Sequence, residues 1–341
     1  YSASIYKEDI LEVKKLMKMN SYNKIYLEKI AKEKGFVRDN LEKVMRLSEI
    51  LQYFNENESL HDSLVLKGGT AINLTVFQMP RLSVDIDLDF AKNCSREEMI
   101  KARKNINDEI LAYMSNEGYV LKPGSKSPHT LDSWVFGYIN AGGNPDNIKI
   151  EINYSDRCHV LPMEERTISI DFLGDIRVCA LAPMELFASK LNALISRAAV
   201  RDIYDVYGMI QANLFETMEE RALLRKILVF YLAVGSSCKA EEVTLDIKNI
   251  KHIEKLSFSQ VRAHLLPVLS RKEKFDFNAV KEQVLSFLGS FLSFTEDERK
   301  FIEHFNQREY RPDILFNESS IVERITSHPM ALWKCRPKEM K

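Results

Sequence analysis

Residues 65 to 90 read VLKGGTAINLTVFQMPRLSVDIDLDF, and this stretch decides the fold. It begins with an apolar segment and a glycine turn, and it ends in an alternating segment where Asp85, Asp87 and Asp89 lie between apolar residues. Such alternation predicts a β-strand, on which side chains two residues apart share a face. The three carboxylates are therefore expected to point the same way.

The acidic face of this strand predicts a metal site. Neighbouring carboxylates repel and raise one another's pKa, and a divalent cation removes that cost. Asp85 and Asp87 suit Mg²⁺, which prefers hard oxygen ligands and completes its shell with phosphate oxygens and water. Asp89 is expected to mark the exit of the strand toward solvent. The alternative is a solvated edge strand with acidic residues that prevent aggregation, but that role needs no glycine turn.

The glycine turn predicts a phosphate site beside the metal. Gly68 and Gly69 let the backbone approach a phosphate, and the N–H groups of a turn and of a following helix favour a polyanion. The Thr70 hydroxyl adds a hydrogen bond. Glycine turns before helices are common structural features, so the turn predicts a phosphate site only in combination with the Asp-x-Asp pattern downstream.

Two separate motifs carry a family resemblance. The first comprises Gly68-Gly69-Thr70 and Arg81-Leu82-Ser83-Val84-Asp85-Ile86-Asp87. The second comprises Lys190-Leu191-Asn192-Ala193-Leu194, Arg197 and Arg201-Asp202-Ile203-Tyr204-Asp205. Together they resemble the nucleotidyltransferase superfamily with the DNA polymerase beta-like core, and more closely the AbiEii/AbiGii toxin family of abortive-infection and toxin-antitoxin systems.

The resemblance implies an α+β fold, with a mixed-sheet nucleotidyltransferase core, N-terminal helices and a C-terminal helical domain. We expect residues 1–58 to form a helical segment packing on the core, residues 59–182 the core, and residues 183–341 the C-terminal domain. Hydrophobic periodicity predicts helices before residue 57 and after Pro183, with strands and helices alternating between 64 and about 180. A helix-turn-helix over 27–47 is an alternative, but its charges nearly cancel, which favours packing.

A further carboxylate is predicted on residues 148 to 153, which alternate again and place Glu151 on a polar face. By the resemblance, Glu151 occupies the position of the third superfamily carboxylate, where it would bind metal or accept a proton. The alternative is an exposed sheet face that carries a pair of Lys149 and Glu151.

The second motif supplies cations and a further acid. The resemblance implies that Lys190 contacts the nucleotide phosphates and that Asp202 is catalytic or orients the lysine. On an unbroken helix these two residues would lie ~18 Å apart along the axis, so a break after Arg197 is predicted to bring both to the site.

Arg197 and Arg201 lie four residues apart, which places them on one face of a helix and suits contact with triphosphate or an RNA backbone. The alternative for this motif is structural, with Arg201, Asp202 and Asp205 in interhelical ion pairs.

The resemblance also implies an activity. We expect an Mg²⁺-dependent toxin, with Mn²⁺ as the second candidate metal, that transfers NMP from NTP to an RNA acceptor, the 3′ end of tRNA, and releases pyrophosphate. The candidate catalytic residues are Asp85, Asp87, Glu151, Lys190 and Asp202, of which the first three are the metal ligands. The candidate nucleotide-binding residues are Gly68, Gly69, Thr70, Ser83, Lys190, Arg197 and Arg201. A cognate antitoxin is expected, and in some relatives the antitoxin phosphorylates the serine that matches Ser83.

Other functions stay open at this point, namely transfer to a protein or an aminoglycoside, and a catalytically inactive binding module. The net charge of −1 means that a nucleic-acid partner needs a local basic patch. Phe258 and Phe275 offer stacking surfaces near such a patch, although spaced basic residues also occur on ordinary solvated helices. The basic residues are Lys248, Lys251, His252, Lys255, Arg262, Arg271, Lys272 and Lys274.

The remaining composition indicates a cytoplasmic protein. The five cysteines lack any C-x-x-C spacing, which argues against a zinc site or a disulfide framework. No apolar run approaches the ~20 residues of a membrane span, and the first residues lack the apolar region of a signal peptide. We therefore expect no membrane partner.

Overall fold

A computed structural model of the protein describes residues 22–235, 238–246 and 250–337. Within these residues the chain builds a seven-stranded mixed sheet. The strands are β1 (Leu64–Leu66), β2 (Asp85–Phe90), β3 (Val120–Leu121), β4 (Leu131–Ile139), β5 (Pro145–Asn153), β6 (Glu164–Ile170) and β7 (Gly174–Ala180).

The strand order is β3-β4-β5-β2-β1-β7-β6. The acidic strand β2 lies at the centre, antiparallel to β1 and parallel to β5. The pairs β3-β4, β4-β5 and β6-β7 are antiparallel, and β1 runs parallel to β7. This order brings the glycine turn after β1 and the polar face of β5 beside the carboxylates of β2.

The helices before the sheet are α1 (Lys24–Lys34), α2 (Arg38–Glu56) and α3 (Glu58–His61). Gly35 ends α1 with a φ of 81°, a backbone conformation that glycine adopts without a steric cost. The apolar stripe of α2 is buried in the core, and the helix packs against β7 and β5. Packing therefore accounts for the stripe, as the charge balance predicted. The helices expected before residue 22 lie outside the described residues.

Two short helical turns follow β1, α4 (Gly68–Ala71) and a π-helical turn (Ile72–Val76), in place of the single predicted helix start. After β2, a reciprocal capping box of Ser95 and Glu98 starts α5 (Arg96–Asn116). The five strands after α5 follow one another with no helix between them. The expected alternation of strands and helices up to residue 180 is therefore wrong in this part. Antiparallel hairpins connect β3 to β4, β4 to β5 and β6 to β7 without a crossover helix, and a loop leads from β5 to β6 at the other edge of the sheet.

The chain is helical after Pro183, as predicted, with proline in the first turn of the first helix. The helices are α6 (Pro183–Arg197), α7 (Val200–Gln211), α8 (Met218–Val234), α9 (Ile250–Glu254), α10 (Phe258–His264), α11 (Phe277–Phe291), α12 (Glu296–Asn306), α13 (Pro312–Leu315), α14 (Ser319–Ile325) and α15 (Pro329–Cys335), with a 3-10 turn at Ala240–Glu242.

One continuous cluster of buried apolar residues connects the helices and the sheet, from Ile30 to Ala331. The domain boundaries at residues 58 and 182 stay predictions. None of the helices in the described ranges is long and apolar enough to cross a bilayer.

Candidate active site

The turn after β1 lies directly against the acidic strand. The Lys67 N–H donates to the carbonyl oxygen of Asp87 at 2.9 Å. Gly68 has a φ of +69°, and a Cβ atom on it would lie 2.6 Å from Asp87 Oδ2. Both the backbone conformation and the close approach require glycine here. The turn and the carboxylate therefore form one compact unit.

Side chains behind the turn fix its position. The Thr70 hydroxyl donates to the carbonyl oxygen of Asp85 at 2.5 Å and lies 2.8 Å from Ser83 Oγ. The Asn73 side-chain amide donates to the carbonyl oxygen of Gly69 at 2.8 Å. Thr70 and Ser83 are buried, so in this structure their hydroxyls hold the turn against the strand that carries Asp85.

Three carboxylates line the exposed side of this unit. Asp85 and Asp87 are half-buried on β2, and Glu151 lies directly opposite Asp87 in the parallel register of β5. Burial raises the pKa of Asp87, and the negative charges of Asp85 and Glu151 raise it further, against the opposing effect of Lys67 and Lys190. The strand pairing thus concentrates negative charge at one place.

Glu151 also has a cationic neighbour. Its carboxylate lies 2.7 Å from the Lys149 ammonium, so the ion pair considered for this sheet face is present. The described ranges contain no group of three or more His, Cys, Asp and Glu side chains arranged to hold a metal ion. Mg²⁺ takes only one or two protein carboxylates when phosphate oxygens and water supply the rest, and Asp85 with Asp87 meets that requirement.

Helices α6 and α7 bring a lysine and two acids to the same place. The helix is interrupted between Arg197 and Val200, as predicted. Ala198 has a φ of 48° at this interruption. The Lys190 ammonium then lies 2.9 Å from Asp202 Oδ1 and 3.1 Å from Asp205 Oδ2. All three side chains are buried.

The break also separates two arginines. Arg197 ends α6 and Arg201 lies in the first turn of α7, so the prediction that they share one helix face is wrong. The Arg197 guanidinium is exposed and donates to both carboxylate oxygens of Asp202, at 2.7 and 3.1 Å. Arg201 is half-buried and forms no ion pair with another described residue.

A fully buried ion pair of Arg81 and Asp205 underlies the site, and its pairing was not predicted from the sequence. The Arg81 guanidinium donates to both oxygens of Asp205, at 2.8 and 2.6 Å. Burial alone would raise the pKa of Asp205, but Arg81 and Lys190 outweigh burial and hold it below its usual range. A signal existed, since Arg81 continues the two-residue spacing of Ser83, Asp85 and Asp87. Asp205 therefore forms structural ion pairs, as the alternative for this motif proposed, but its partners are Arg81 and Lys190.

Asp89 does not lead out to solvent, and that expectation is wrong. It is buried, forms an ion pair with Lys67, and lies 3.3 Å from His159 Nε2. Burial opposes a charge on His159, but contact with Asp89 outweighs it and raises the pKa of the imidazole. His159 lies in a loop without a motif, so no sequence signal pointed to it.

The arrangement combines a glycine turn, adjacent carboxylates and buried cations, and such groups suit the stabilisation of charge on phosphate oxygens. Comparison of sequences identifies the family. The profile of the family described as nucleotidyl transferase AbiEii toxin, type IV toxin-antitoxin system, matches residues 49–308. The chain belongs to this family. It is therefore a nucleotidyltransferase toxin of a type IV toxin-antitoxin system, which confirms the predicted family and enzyme class and implies a cognate antitoxin.

A solved structure supports the fold. The chain is similar to MenT4, a nucleotidyltransferase toxin from Mycobacterium tuberculosis H37Rv, with a TM-score of 0.58 and 15% sequence identity. The similarity covers 82% of this chain and 92% of MenT4. At this identity the likeness concerns the fold, and it confirms the predicted α+β class. No curated protein sequence matches the chain significantly.

Proposed function

We propose that this AbiEii-family toxin transfers a nucleoside monophosphate from an NTP to the 3′ hydroxyl of an RNA, the 3′ end of tRNA, and that the transfer depends on Mg²⁺. The observation that carries the proposal is the contact between the glycine turn and the acidic strand, where a Cβ on Gly68 would meet Asp87 Oδ2 at 2.6 Å. This cradle brings backbone N–H groups for phosphate next to carboxylates for a cation.

The residues of the site fit a divalent cation. Asp85 and Asp87 share one face of β2, and Asp87 has its pKa raised by burial and by the neighbouring acids. Asp85 and Asp87 would hold Mg²⁺ or Mn²⁺, and Glu151 would complete the set if its contact with Lys149 opened. When bound, such a cation neutralises the charge that develops on phosphate oxygens.

The cations of the helices would bind the rest of the triphosphate. Lys190 is held by Asp202 and Asp205, so its position is fixed before a ligand arrives. This preorganisation favours stabilisation of the transition state, because no reorganisation is needed during the reaction. Arg197 has exposed N–H groups beside Asp202 and suits a contact with the outer phosphates or the RNA backbone.

The reaction is an in-line substitution at the α-phosphorus. The oxygen of the acceptor hydroxyl forms the new P–O bond, the bond between the α-phosphorus and its bridging oxygen breaks, and pyrophosphate leaves with the electron pair. Glu151 would accept the hydroxyl proton, because its half-buried carboxylate lies opposite Asp87 in the register of β5 and β2.

We further propose that the cognate antitoxin inactivates the enzyme by phosphorylation of Ser83, which requires that the buried Ser83 hydroxyl leave its contact with Thr70. A phosphate on Ser83 Oγ would add a dianion next to Thr70 and Asp85, where it would repel the substrate phosphates. Mass spectrometry of toxin coexpressed with its antitoxin tests this step. An inhibited toxin with unmodified Ser83 would contradict it.

Incubation of the purified protein with each α-³²P-labelled NTP, Mg²⁺ and total bacterial RNA tests the acceptor. Protein and RNA products are resolved separately on denaturing gels. We expect label in a tRNA-sized band and no label in protein. Label confined to protein, or transfer that persists after chelation of divalent metal, would contradict the proposal.

A further inference from the structure

A groove of ≈ 550 Å³ opens between α10 and the start of α11, outside the active site described above. Its apolar lining comes from Leu256, Phe258, Phe275 and Phe277, and Ser257 contributes to its rim. Ligand pockets in proteins commonly have volumes of this order and combine apolar walls with a few polar groups. The surroundings of the groove indicate which ligand it takes.

The segment that forms the groove is strongly basic. Residues 250–281 contain seven Lys and Arg residues and three acidic residues, a local net charge of +4 in a chain whose net charge is −1. All of these cations except Lys281 are exposed. They are Lys251, Lys255, Arg262, Arg271, Lys272, Lys274 and Lys281. Charge complementarity therefore favours a polyanion.

Phe258 is the aromatic side chain available to that ligand. It is 50% exposed and, unlike Phe275, does not pack against the apolar core of the described residues. The Arg262 guanidinium carbon lies 5.7 Å from its ring centroid, a cation–π contact that orients both groups. An exposed aromatic face beside an arginine suits stacking with a nucleobase.

The acid in the groove lining is already engaged. Asp276 caps α11 and accepts the N–H groups of Asn278 and Ala279, at 3.0 and 3.2 Å. These contacts orient the Asp276 carboxylate toward the helix N-terminus, and its negative charge is outnumbered by the seven cations of the segment. Lys255 and Lys274 are exposed and form no ion pair with another described residue, so both are available to a phosphate backbone.

The groove is connected to the active site through direct contacts. The Leu82 N–H donates to the carbonyl oxygen of Val268 at 2.7 Å, which ties the segment before β2 to the segment after α10. The rings of Tyr204 and Phe275 lie 5.7 Å apart. Tyr204 is the neighbour of Asp205 on α7, so the groove packs on the helix that orients Lys190.

We propose that this groove binds a single-stranded segment of the acceptor RNA, with one base stacked on Phe258 and the adjoining phosphates on Lys255 and Lys274. The inference rests on the proposed function, because it names the place where the RNA acceptor is held. Single-stranded RNA satisfies both features at once, since its bases have a free face and its backbone is anionic.

Fluorescence anisotropy with a short fluorescein-labelled single-stranded RNA tests binding, with full-length protein, no NTP and excess chelator. Phe258→Ala is expected to weaken binding about tenfold, and Phe258→Trp to preserve it. Trp333→Ala is the matched control, because Trp333 is 54% exposed and has the Arg336 guanidinium carbon 5.1 Å from its ring. This control is expected to bind as the unmodified protein does.

The salt dependence separates stacking from phosphate contact. A Lys255→Gln, Lys274→Gln double variant is expected to lower the slope of log affinity against log salt by about 1.4, as two phosphate contacts on a single strand require. Phe258→Ala is expected to leave that slope unchanged. Equal affinity of Phe258→Ala and Trp333→Ala, or an unchanged slope in the double variant, would overturn the groove assignment.

Steady-state transfer distinguishes failure of the groove from failure of the proposed function. Phe258→Ala is expected to raise the KM for RNA while the KM for NTP stays constant. RNA labelling with an unchanged KM for RNA would overturn the groove alone. Absence of RNA labelling by the unmodified protein would overturn the proposed function, and label in protein that depends on Phe258 would assign the groove to a protein acceptor and overturn the inference.

Discussion

Asp205 is the residue on which two buried cations converge, the bidentate Arg81 and the ammonium of Lys190. Replacement by asparagine would leave the buried Arg81 without its counter-charge and would leave Lys190 with Asp202 as its remaining carboxylate partner. Breaking a buried pair in this way costs about 3–5 kcal/mol. We expect Asp205→Asn to lower the free energy of unfolding by that amount in chemical denaturation.

The control for this prediction is Asp313→Asn, which removes a solvent-exposed pair with Arg311. Exposed pairs contribute about 0–1 kcal/mol, so the control is expected to be nearly as stable as the unmodified protein. Equal stability of the two variants would contradict the assigned role of Asp205.

The Asp205 contribution should also depend on pH. Its folded pKa lies below the ordinary value of 3.8, so the ionised form is the one that stabilises the fold. The difference in unfolding free energy between the unmodified protein and Asp205→Asn is therefore full near neutrality and shrinks as pH falls below about 3.8. Denaturation curves at several acidic pH values measure it. A difference that grows with acidity would contradict the sign.

Gly68 tests the contact between the turn and the acidic strand. Gly68→Ala adds a left-handed backbone cost of about 1–2 kcal/mol and a Cβ that would meet Asp87 Oδ2 at 2.6 Å. We expect transfer to be lost while the protein still folds. Transfer assays and circular dichroism measure the two effects.

Gly174→Ala is the matched control, because Gly174 has a φ of +73° and a Cβ atom on it would meet no heavy atom within 4 Å. Gly174→Ala therefore has the same left-handed backbone cost as Gly68→Ala but creates no close contact for the added Cβ. We expect it to lose stability and keep transfer. Similar activity of the two alanine variants would show that the approach of Gly68 to Asp87 has no functional role.

At the scale of elements, the break between α6 and α7 positions Lys190 against Asp202. Ala198 holds this break in the left-handed region, which costs a residue with a Cβ about 1–2 kcal/mol. Ala198→Gly is expected to keep transfer activity and to be at least as stable, despite the entropy that glycine adds to the unfolded chain. Thermal denaturation and a transfer assay measure both. A large loss of stability would mean that the break has another cause.

The elements that could be predicted are those with a local cause. Alternation predicted β2 and β5, and hydrophobic periodicity predicted the helix after Pro183. The burial of Asp89 could not be predicted, because alternation shows which residues share a face of the strand but not which residues pack on that face. Here Lys67 from the turn after β1 and His159 from a loop 70 residues further along the chain cover it.

The candidate site divides in the same way. The glycine turn and the Asp-x-Asp pattern predicted a phosphate site beside the metal site. This part was predictable because the turn and the carboxylates belong to β1 and β2, which are consecutive along the chain and pair directly. The pair of Arg81 with Asp205 depends on packing of α7 against the segment before β2 and joins residues 124 positions apart in the sequence. The spacing of Arg81 pointed to a role for this residue, but its pairing with Asp205 follows only from the tertiary structure.

At the scale of the whole molecule, the fold separates two charge environments. The sheet carries the carboxylates of the site, and the segment from 250 to 281 carries a local charge of +4. Under the proposed function, this separation would let one surface hold a metal while another attracts RNA, in a chain that is nearly neutral. Affinity for RNA is accordingly expected to fall steeply with salt, whereas affinity for NTP should fall less, because fewer phosphates are neutralised. Titrations at several salt concentrations measure the two slopes, and equal slopes would contradict the separation.

Metal-dependent nucleotidyl transfer to RNA, supported by Asp85 and Asp87, is the function proposed for the whole molecule. Its most direct test is transfer of label from α-³²P-NTP to purified tRNA, by the unmodified protein, by Asp87→Asn and by Asp171→Asn, whose side chain is 91% exposed in the turn between β6 and β7. We expect labelled tRNA with the unmodified protein and Asp171→Asn, and none with Asp87→Asn or after chelation of Mg²⁺. Full transfer by Asp87→Asn would contradict the proposed function.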